Sequence, residues 1–217
     1  MEGPHLPFGG KAGWCEHVAR ERFSLDTWGG NGTRFKMLDT FIKNRLCVAD
    51  GTASVLAAEK VAPVRNIKEV KHVTIEAYKY AKEAYSDIEP PDSRETAFHR
   101  IPYLVAATLM EGTVTLHSYN EAHLWNPELR ALTKKIGVVE NKEFTKAYGR
   151  QPPERRARVT VLTNNGERLV GEAGGDQDDL LAPKNDAQIV EKFRGLTGGF
   201  SGREARKRDP GPSMALG

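Results

Sequence analysis

The fold of this chain is decided by the stretch ETAFHRIPYLVAATLMEG, which spans residues 95–112. It places a histidine, a proline, a tyrosine and a long apolar run at the start of one helix. Proline is tolerated in the first turn of a helix, and glycine commonly follows the last turn. The stretch therefore predicts a helix that begins close to Pro102 and ends at Gly112.

Other segments surround this helix with both strands and helices. Period-two alternation predicts a strand over 70–78, and two β-prone runs on either side of an Asn-Asn-Gly turn predict a hairpin over 158–171. An extended segment is predicted over 35–49, and further helices over 14–23, 52–62, 126–137 and 185–196. Because strands and helices are mixed without a regular βαβ alternation, the sequence predicts an α+β domain with a mostly antiparallel sheet.

The composition of the chain indicates which kinds of partner it does not bind. The net charge is +3, from 32 basic and 29 acidic residues, which is typical of a mixed solvated surface. We therefore expect no nucleic-acid partner. We also expect no membrane partner, because no apolar run approaches the roughly 20 residues that a membrane helix needs. A single domain is predicted over 1–200, and the Gly-, Arg- and Lys-rich segment 201–217 is predicted to be a disordered basic tail.

The cysteines and histidines indicate a protein without a metal centre. Cys15 and Cys47 are far apart, which favours reduced thiols over a disulfide framework or a zinc site. The histidines show no paired-ligand spacing, so no metal is expected. The beginning of the chain lacks the pattern of a secretory signal, and together these features predict a cytoplasmic location.

Three side chains are candidates for chemistry. His99 and Tyr103 are four residues apart, so they share a face if both are helical. If His99 instead lies just outside the helix, its ring is close to the exposed amides of the first turn, where a carboxylate is favoured. Lys43 follows an apolar run and could hold an anionic substrate. The alternative for each is structural: a capping histidine, a core tyrosine with a satisfied hydroxyl, and a surface lysine whose stem packs on the core.

Residues 99–112 also resemble a known family motif. They fit the pattern H-x-x-P-Y-x-V-A-x-x-L-x-x-G of the MmgE/PrpD family, whose members include 2-methylcitrate dehydratase and cis-aconitate decarboxylase. Segments similar to the family follow in its order at 7–19, 23–45, 126–136, 158–171 and 191–196. The resemblance covers the chain from about Phe8 to Phe200 and places it in the second, smaller α+β domain of that fold.

The resemblance implies a cofactor-free and metal-free lyase that acts on a di- or tricarboxylic acid, in the manner of 2-methylcitrate dehydratase. Family enzymes place the active site between a large helical domain and the α+β domain. The match implies that Lys43 occupies the position of an active-site lysine and Tyr103 that of an active-site tyrosine, with His99 as its neighbour in the motif. Arg45 is implied as a candidate for binding the substrate carboxylate.

Two departures from the family bear on activity. The helical domain is expected to be missing, and the segment NRLCVADGT at 44–52 lacks the proline and the histidine that the family often has there. The resemblance therefore implies a domain that is incomplete or inactive alone. Its exposed face would be completed by homo-oligomerisation, for example in a dimer, or by a separate helical subunit. The alternative is a non-catalytic interaction or oligomerisation domain derived from this family of propionate metabolism.

Overall fold

The computed structural model describes residues 13–21, 30, 32–40, 42–43, 45–174 and 184–197, and the chain divides into two compact units, 1–41 and 42–217. The prediction of one domain over 1–200 stays a prediction. The predicted tail at 201–217 lies outside the described residues.

The described residues of the first unit contain less regular structure than the sequence predicts. A π-helix covers Cys15–Ala19 and ends at Arg20, whose φ of 59° is left-handed, so the helix predicted over 14–23 is shorter. The strand-like segment predicted over 35–49 is wrong for the described residues, which instead form 3₁₀ turns at Lys36–Asp39 and, in the second unit, at Ala49–Gly51. The apolar residues Phe35 and Leu38 are three apart, which is the repeat of a 3₁₀ turn and not of a strand.

A four-stranded sheet forms the centre of the second unit. Its strands are β1 (Val70–Ala77), β2 (Ile136–Glu140), β3 (Ala157–Thr163) and β4 (Arg168–Ala173), in the order β2-β1-β3-β4. The β1–β3 and β3–β4 pairs are antiparallel and the β1–β2 pair is parallel. The predicted α+β class with a mostly antiparallel sheet is confirmed, and the sheet is mixed because of one parallel pair.

Eight α-helices accompany the sheet in the described part of the chain. They are α1 (Thr52–Glu59), α2 (Lys79–Tyr85), α3 (Arg94–His99), α4 (Ile101–Glu111), α5 (Glu121–Leu124), α6 (Pro127–Thr133), α7 (Lys142–Tyr148) and α8 (Asp186–Thr197). The predicted helices at 52–62, at Pro102–Gly112 and at 185–196 are confirmed. The helix predicted over 126–137 ends earlier, because the β-prone residues after Lys135 pair with β1 as strand β2.

Helix α4 is the centre of the core. Every residue from Ile101 to Leu109 is buried, as expected for a helix that is apolar all round. Pro102 lies in its first turn, and Gly112 ends it with a φ of +95°. Burying a Leu or Ile side chain stabilises a fold by about 1.5–3 kcal/mol, so this helix contributes much of the stability.

Helix α1 also packs against the inner face of the sheet, and one glycine sets how closely it approaches. A Cβ added at Gly171 of β4 would lie 2.0 Å from the backbone oxygen of Ala57 in α1. The helix backbone therefore rests directly on the strand.

The outer face of the sheet carries a row of charged side chains. Glu76, Arg158 and Glu172 lie side by side on β1, β3 and β4, and Arg158 forms ion pairs with both glutamates, at 3.1 Å and 2.8 Å.

Within the part of the chain that the structure describes, no helix combines the length and the apolar character needed to cross a bilayer. The cytoplasmic location stays a prediction.

Candidate functional site

Lys43 lies in the loop before α1 and is partly buried. Its Nζ donates a hydrogen bond to the backbone oxygen of Cys47 at 2.8 Å and lies 4.8 Å from the centroid of the Phe98 ring. An ammonium over an aromatic face is attracted by the negative face of the ring. The two contacts hold the charge near the surface, and no carboxylate among the described residues is paired with it.

Arg45 is already engaged by an acidic side chain. Its Nε and Nη2 donate to the two carboxylate oxygens of Glu59 in α1, at 2.5 and 2.7 Å, and Thr113 donates to the same carboxylate. These hydrogen bonds raise the pKa of Arg45, although burial works in the opposite direction. A substrate carboxylate at Arg45 would have to displace Glu59, so the structure places this guanidinium in a structural ion pair.

His99 lies at the end of one helix instead of at the start of the next. Helix α3 begins with a capping box of Ser93 and Thr96 and ends at His99, and Arg100 then takes an extended conformation before α4 begins. The ring Nδ1 lies 2.9 Å from the backbone oxygen of Glu95. Because Arg100 takes an extended conformation between the two helices, His99 lies just before α4, and its ring contacts the first turn of α3. The expectation that the ring also lies near the first amides of α4 stays a prediction.

This position still leaves His99 able to take part in proton transfer. The side chain is exposed, and its ring centroid lies 5.3 Å from that of Phe98. When Nδ1 donates to a carbonyl, the neutral ring presents Nε2 as an acceptor. His99 therefore offers an accessible nitrogen beside the aromatic ring that carries the Lys43 ammonium.

Tyr103 is fully buried in the first turn of α4. Its hydroxyl donates a hydrogen bond to the backbone oxygen of Ser118. Burial, and to a lesser extent the charge of Glu111, raises the pKa of Tyr103, so the hydroxyl stays protonated. This geometry is the one expected of a core tyrosine with a satisfied hydroxyl.

Phe98 connects the candidate residues. Its ring contacts the Lys43 ammonium on one side and the His99 ring on another, and it lies 5.9 Å from the ring of Tyr119. Tyr119 in turn donates to the backbone oxygen of Leu46, which holds the loop against the helices. The structure therefore brings Lys43 and His99 together around Phe98, whereas Tyr103 and Arg45 have hydrogen-bond partners inside the protein.

Thr52 and Cys47 form the buried end of this loop. Thr52 lies in the segment where the family often has a histidine; it is buried, and its Oγ1 lies 3.6 Å from the Cys47 sulfur. Burial raises the pKa of Cys47 to about 11, so the thiol is not a nucleophile at neutral pH. Among the described residues, no three His, Cys, Asp or Glu side chains are grouped to hold a metal ion.

Sequence reasoning missed the residues that position this site. Phe98 is part of the motif at 95–112, and its spacing gives no sign of a role beyond packing. Glu59 lies 14 residues from its partner Arg45, and Lys192 of α8 donates to the backbone oxygen of Lys43 from 149 residues away. Contacts over such separations leave no local pattern, and the similarity of 191–196 to the family was the one available signal for Lys192.

Comparison with known proteins agrees with this architecture. Residues 47–210 match the family model described as the MmgE/PrpD C-terminal domain. Cis-aconitate decarboxylase of Mus musculus is 29% identical over 89 residues, which cover 41% of this chain and 18% of that protein. The chain therefore aligns with less than a fifth of this curated relative. His99 and Tyr103 fall inside the family match, and Lys43 and Arg45 lie just before it.

Proposed function

The chain belongs to the MmgE/PrpD family, and on that premise we propose that it forms one wall of a lyase site for a di- or tricarboxylic acid. The substrate class is that of 2-methylcitrate or cis-aconitate. One observation carries the proposal: the Lys43 ammonium, which is not paired with a carboxylate among the described residues, lies on Phe98 beside the accessible ring of His99.

The chemistry assigns different roles to these side chains. Elimination next to a carboxylate needs a cation for the carboxylate, a base for the neighbouring proton and an acid for the leaving group. Lys43 binds the carboxylate, and Nε2 of His99 accepts or returns a proton. Tyr103 can only donate, because burial keeps its hydroxyl protonated, and it would first have to leave the Ser118 carbonyl. Arg45 is the weakest candidate because Glu59 occupies its guanidinium.

The remaining catalytic groups would come from a second protein surface that faces this one, the second wall of the site. A helical domain, a helical subunit or a second copy of the chain could supply it, and the site would lie between the two walls. No cofactor or metal is part of this proposal, since the reaction class needs only acid, base and cation.

Carboxylate binding tests the proposal. We expect cis-aconitate and 2-methylcitrate to shift NMR signals of Phe98 and His99 in the full chain at millimolar concentrations. The variant Lys43→Met should weaken this binding about tenfold, since a charge-assisted hydrogen bond contributes about 1.5–3 kcal/mol. The exposed Lys134, on another element, provides the matched control Lys134→Met. Equal affinity in the wild type and Lys43→Met would contradict the proposal.

A second candidate is a non-catalytic oligomerisation domain. It is favoured by exposed apolar side chains on two surfaces: Val139 and Val170 on the outer face of the sheet, and Ile189, Val190 and Phe193 on α8. Exposed apolar groups of this kind often mark an interface. Sedimentation equilibrium of the wild type and of Val170→Lys distinguishes the two: a dimer that the substitution dissociates supports this candidate, and a monomer at all concentrations contradicts it.

A further inference from the structure

The segment EKFRGL at 191–196 lies in α8 and reaches the candidate site. Nζ of Lys192 donates a hydrogen bond to the backbone oxygen of Lys43 at 2.6 Å, while Nζ of Lys43 donates to the backbone oxygen of Cys47 at 2.8 Å. Both lysines are partly buried. Two cationic side chains that are far apart in the sequence therefore bind the backbone of the same short loop.

The two ammonium groups act on each other. Burial lowers the pKa of Lys192, and the charge of Lys43 lowers it further. Glu191 is the nearest acidic neighbour along α8, and its charge acts on Arg45, which is already paired with Glu59. Neither lysine forms an ion pair with a carboxylate among the described residues. Two positive charges thus meet at this loop without a counterion among the described residues.

Each ammonium also keeps hydrogen-bonding capacity. A lysine has more N–H donors than the single bond to a backbone oxygen uses. Like charges at close range repel, and an anion between them removes that cost. An anion with several carboxylates suits such a site better than a single carboxylate, because it can contact both lysines at once.

We propose that Lys192 and Lys43 form a two-lysine anion site, in which Lys192 is a second substrate-binding residue for the di- or tricarboxylate. The inference rests on the proposed function and adds a specific side chain to it. Helix α8 then contributes to recognition of the substrate through Lys192, in addition to the hydrogen bond that this side chain donates to the backbone at residue 43.

Binding of citrate to the full chain tests this inference, with acetate as the single-carboxylate comparison. We expect citrate to bind more tightly than acetate, and Lys192→Met to weaken citrate binding about tenfold, equivalent to about 1.4 kcal/mol. Lys192→Arg, which keeps the charge, should restore most of the affinity. Lys134→Met again controls for the loss of one positive charge, and circular dichroism confirms that each variant is folded.

The pKa of Lys192 gives a second measurement that does not depend on affinity. Followed by NMR of the lysine side chains, it should rise when Lys43 is replaced by Met, because the repulsion is removed, and should rise when citrate saturates the wild type. A purely structural role for Lys192 would not couple its pKa to citrate.

The outcomes separate the two proposals. If Lys43→Met weakens citrate binding and Lys192→Met does not, or if citrate leaves the pKa of Lys192 unchanged, the two-lysine site is wrong and the proposed function stands. If neither variant affects citrate, or citrate does not bind, both proposals fail. Loss of affinity in both methionine variants, with Lys134→Met unaffected, supports both.

Discussion

Tyr103 shows how burial limits the chemistry of a single side chain. The family motif directs attention to this residue, and the motif does predict its position in the first turn of a helix. The sequence allowed both an active-site tyrosine and a core tyrosine with a satisfied hydroxyl, and could not decide between them because the hydroxyl's partner Ser118 comes from a later turn of the chain. A buried hydroxyl that forms a hydrogen bond contributes to the stability of the fold whether or not it also contacts a substrate.

We expect Tyr103→Phe to lower the free energy of unfolding by about 1–3 kcal/mol, because the Ser118 carbonyl loses its donor in a buried position. Urea unfolding measures the change. Tyr148→Phe is the control, since the contacts of Tyr148 come from its ring, stacked 4.1 Å from that of Tyr78. Equal stability of the wild type and Tyr103→Phe would mean that this hydrogen bond is not formed in solution.

For the cationic residues Lys43 and Arg45 as well, the sequence predicts a local feature and does not predict the contacts with distant residues. The apolar run before Lys43 predicts a lysine at the rim of the core, and in the structure Lys43 is partly buried while Ile42 is exposed. The sequence does not reveal that Arg45 is engaged by Glu59 while the Lys43 ammonium is unpaired with any described carboxylate, because the partners lie on other elements. The roles of Lys43, His99, Tyr103 and Arg45 in catalysis stay predictions.

At the scale of elements, the strongly periodic segments were predictable. The strand at 70–78, the hairpin with its Asn-Asn-Gly turn and the helix at 101–111 depend on local patterns that packing reinforces. Strand β2 was missed because a five-residue strand directly after a helix resembles the continuation of that helix. Helices α2, α3 and α7 were missed for the related reason that short helices are stabilised mainly by tertiary packing.

The contact between α1 and β4 gives a prediction for one glycine. Gly171→Ala should destabilise the chain by more than about 2 kcal/mol, because its Cβ would overlap the backbone of Ala57 and the helix would have to move. Gly195→Ala is the matched control: its Cβ has open space in α8, and alanine favours a helix by about 0.5–1 kcal/mol. Thermal unfolding of both variants checks the contrast, and similar melting temperatures would show that α1 does not rest on β4.

The charged row on the outer face of the sheet predicts a dependence on pH. Burial disfavours the ionised form of Glu172, but hydrogen bonds from Arg158 and Arg156 outweigh it and lower its pKa. A lowered pKa in the folded state stabilises the protein above the ordinary glutamate pKa of about 4.3, and this contribution is lost as the pH falls below it. Glu172→Gln should therefore flatten the loss of stability in acid, whereas Glu167→Gln, at the exposed hairpin, should leave it unchanged. The melting temperature as a function of pH measures both.

At the scale of the whole molecule, the described residues around Phe98 provide the Lys43 ammonium and the exposed imidazole of His99. Elimination requires an acid and a base held in one geometry, and Tyr103 is buried. We expect the purified chain alone to convert neither 2-methylcitrate nor cis-aconitate above the rate without protein, as followed by product formation. Turnover that Lys43→Met abolishes would show that this wall already contains a complete site.

The parallel pairing of β1 and β2 also affects the order in which the chain folds. The connection between these strands, residues 78–135, carries α2 to α6, so β2 can reach β1 only after a long loop has closed. The β3–β4 hairpin closes locally and can form early. Until β2 and β3 arrive, both edges of β1 stay open. Two newly made chains could pair along those edges, so this topology favours aggregation during synthesis.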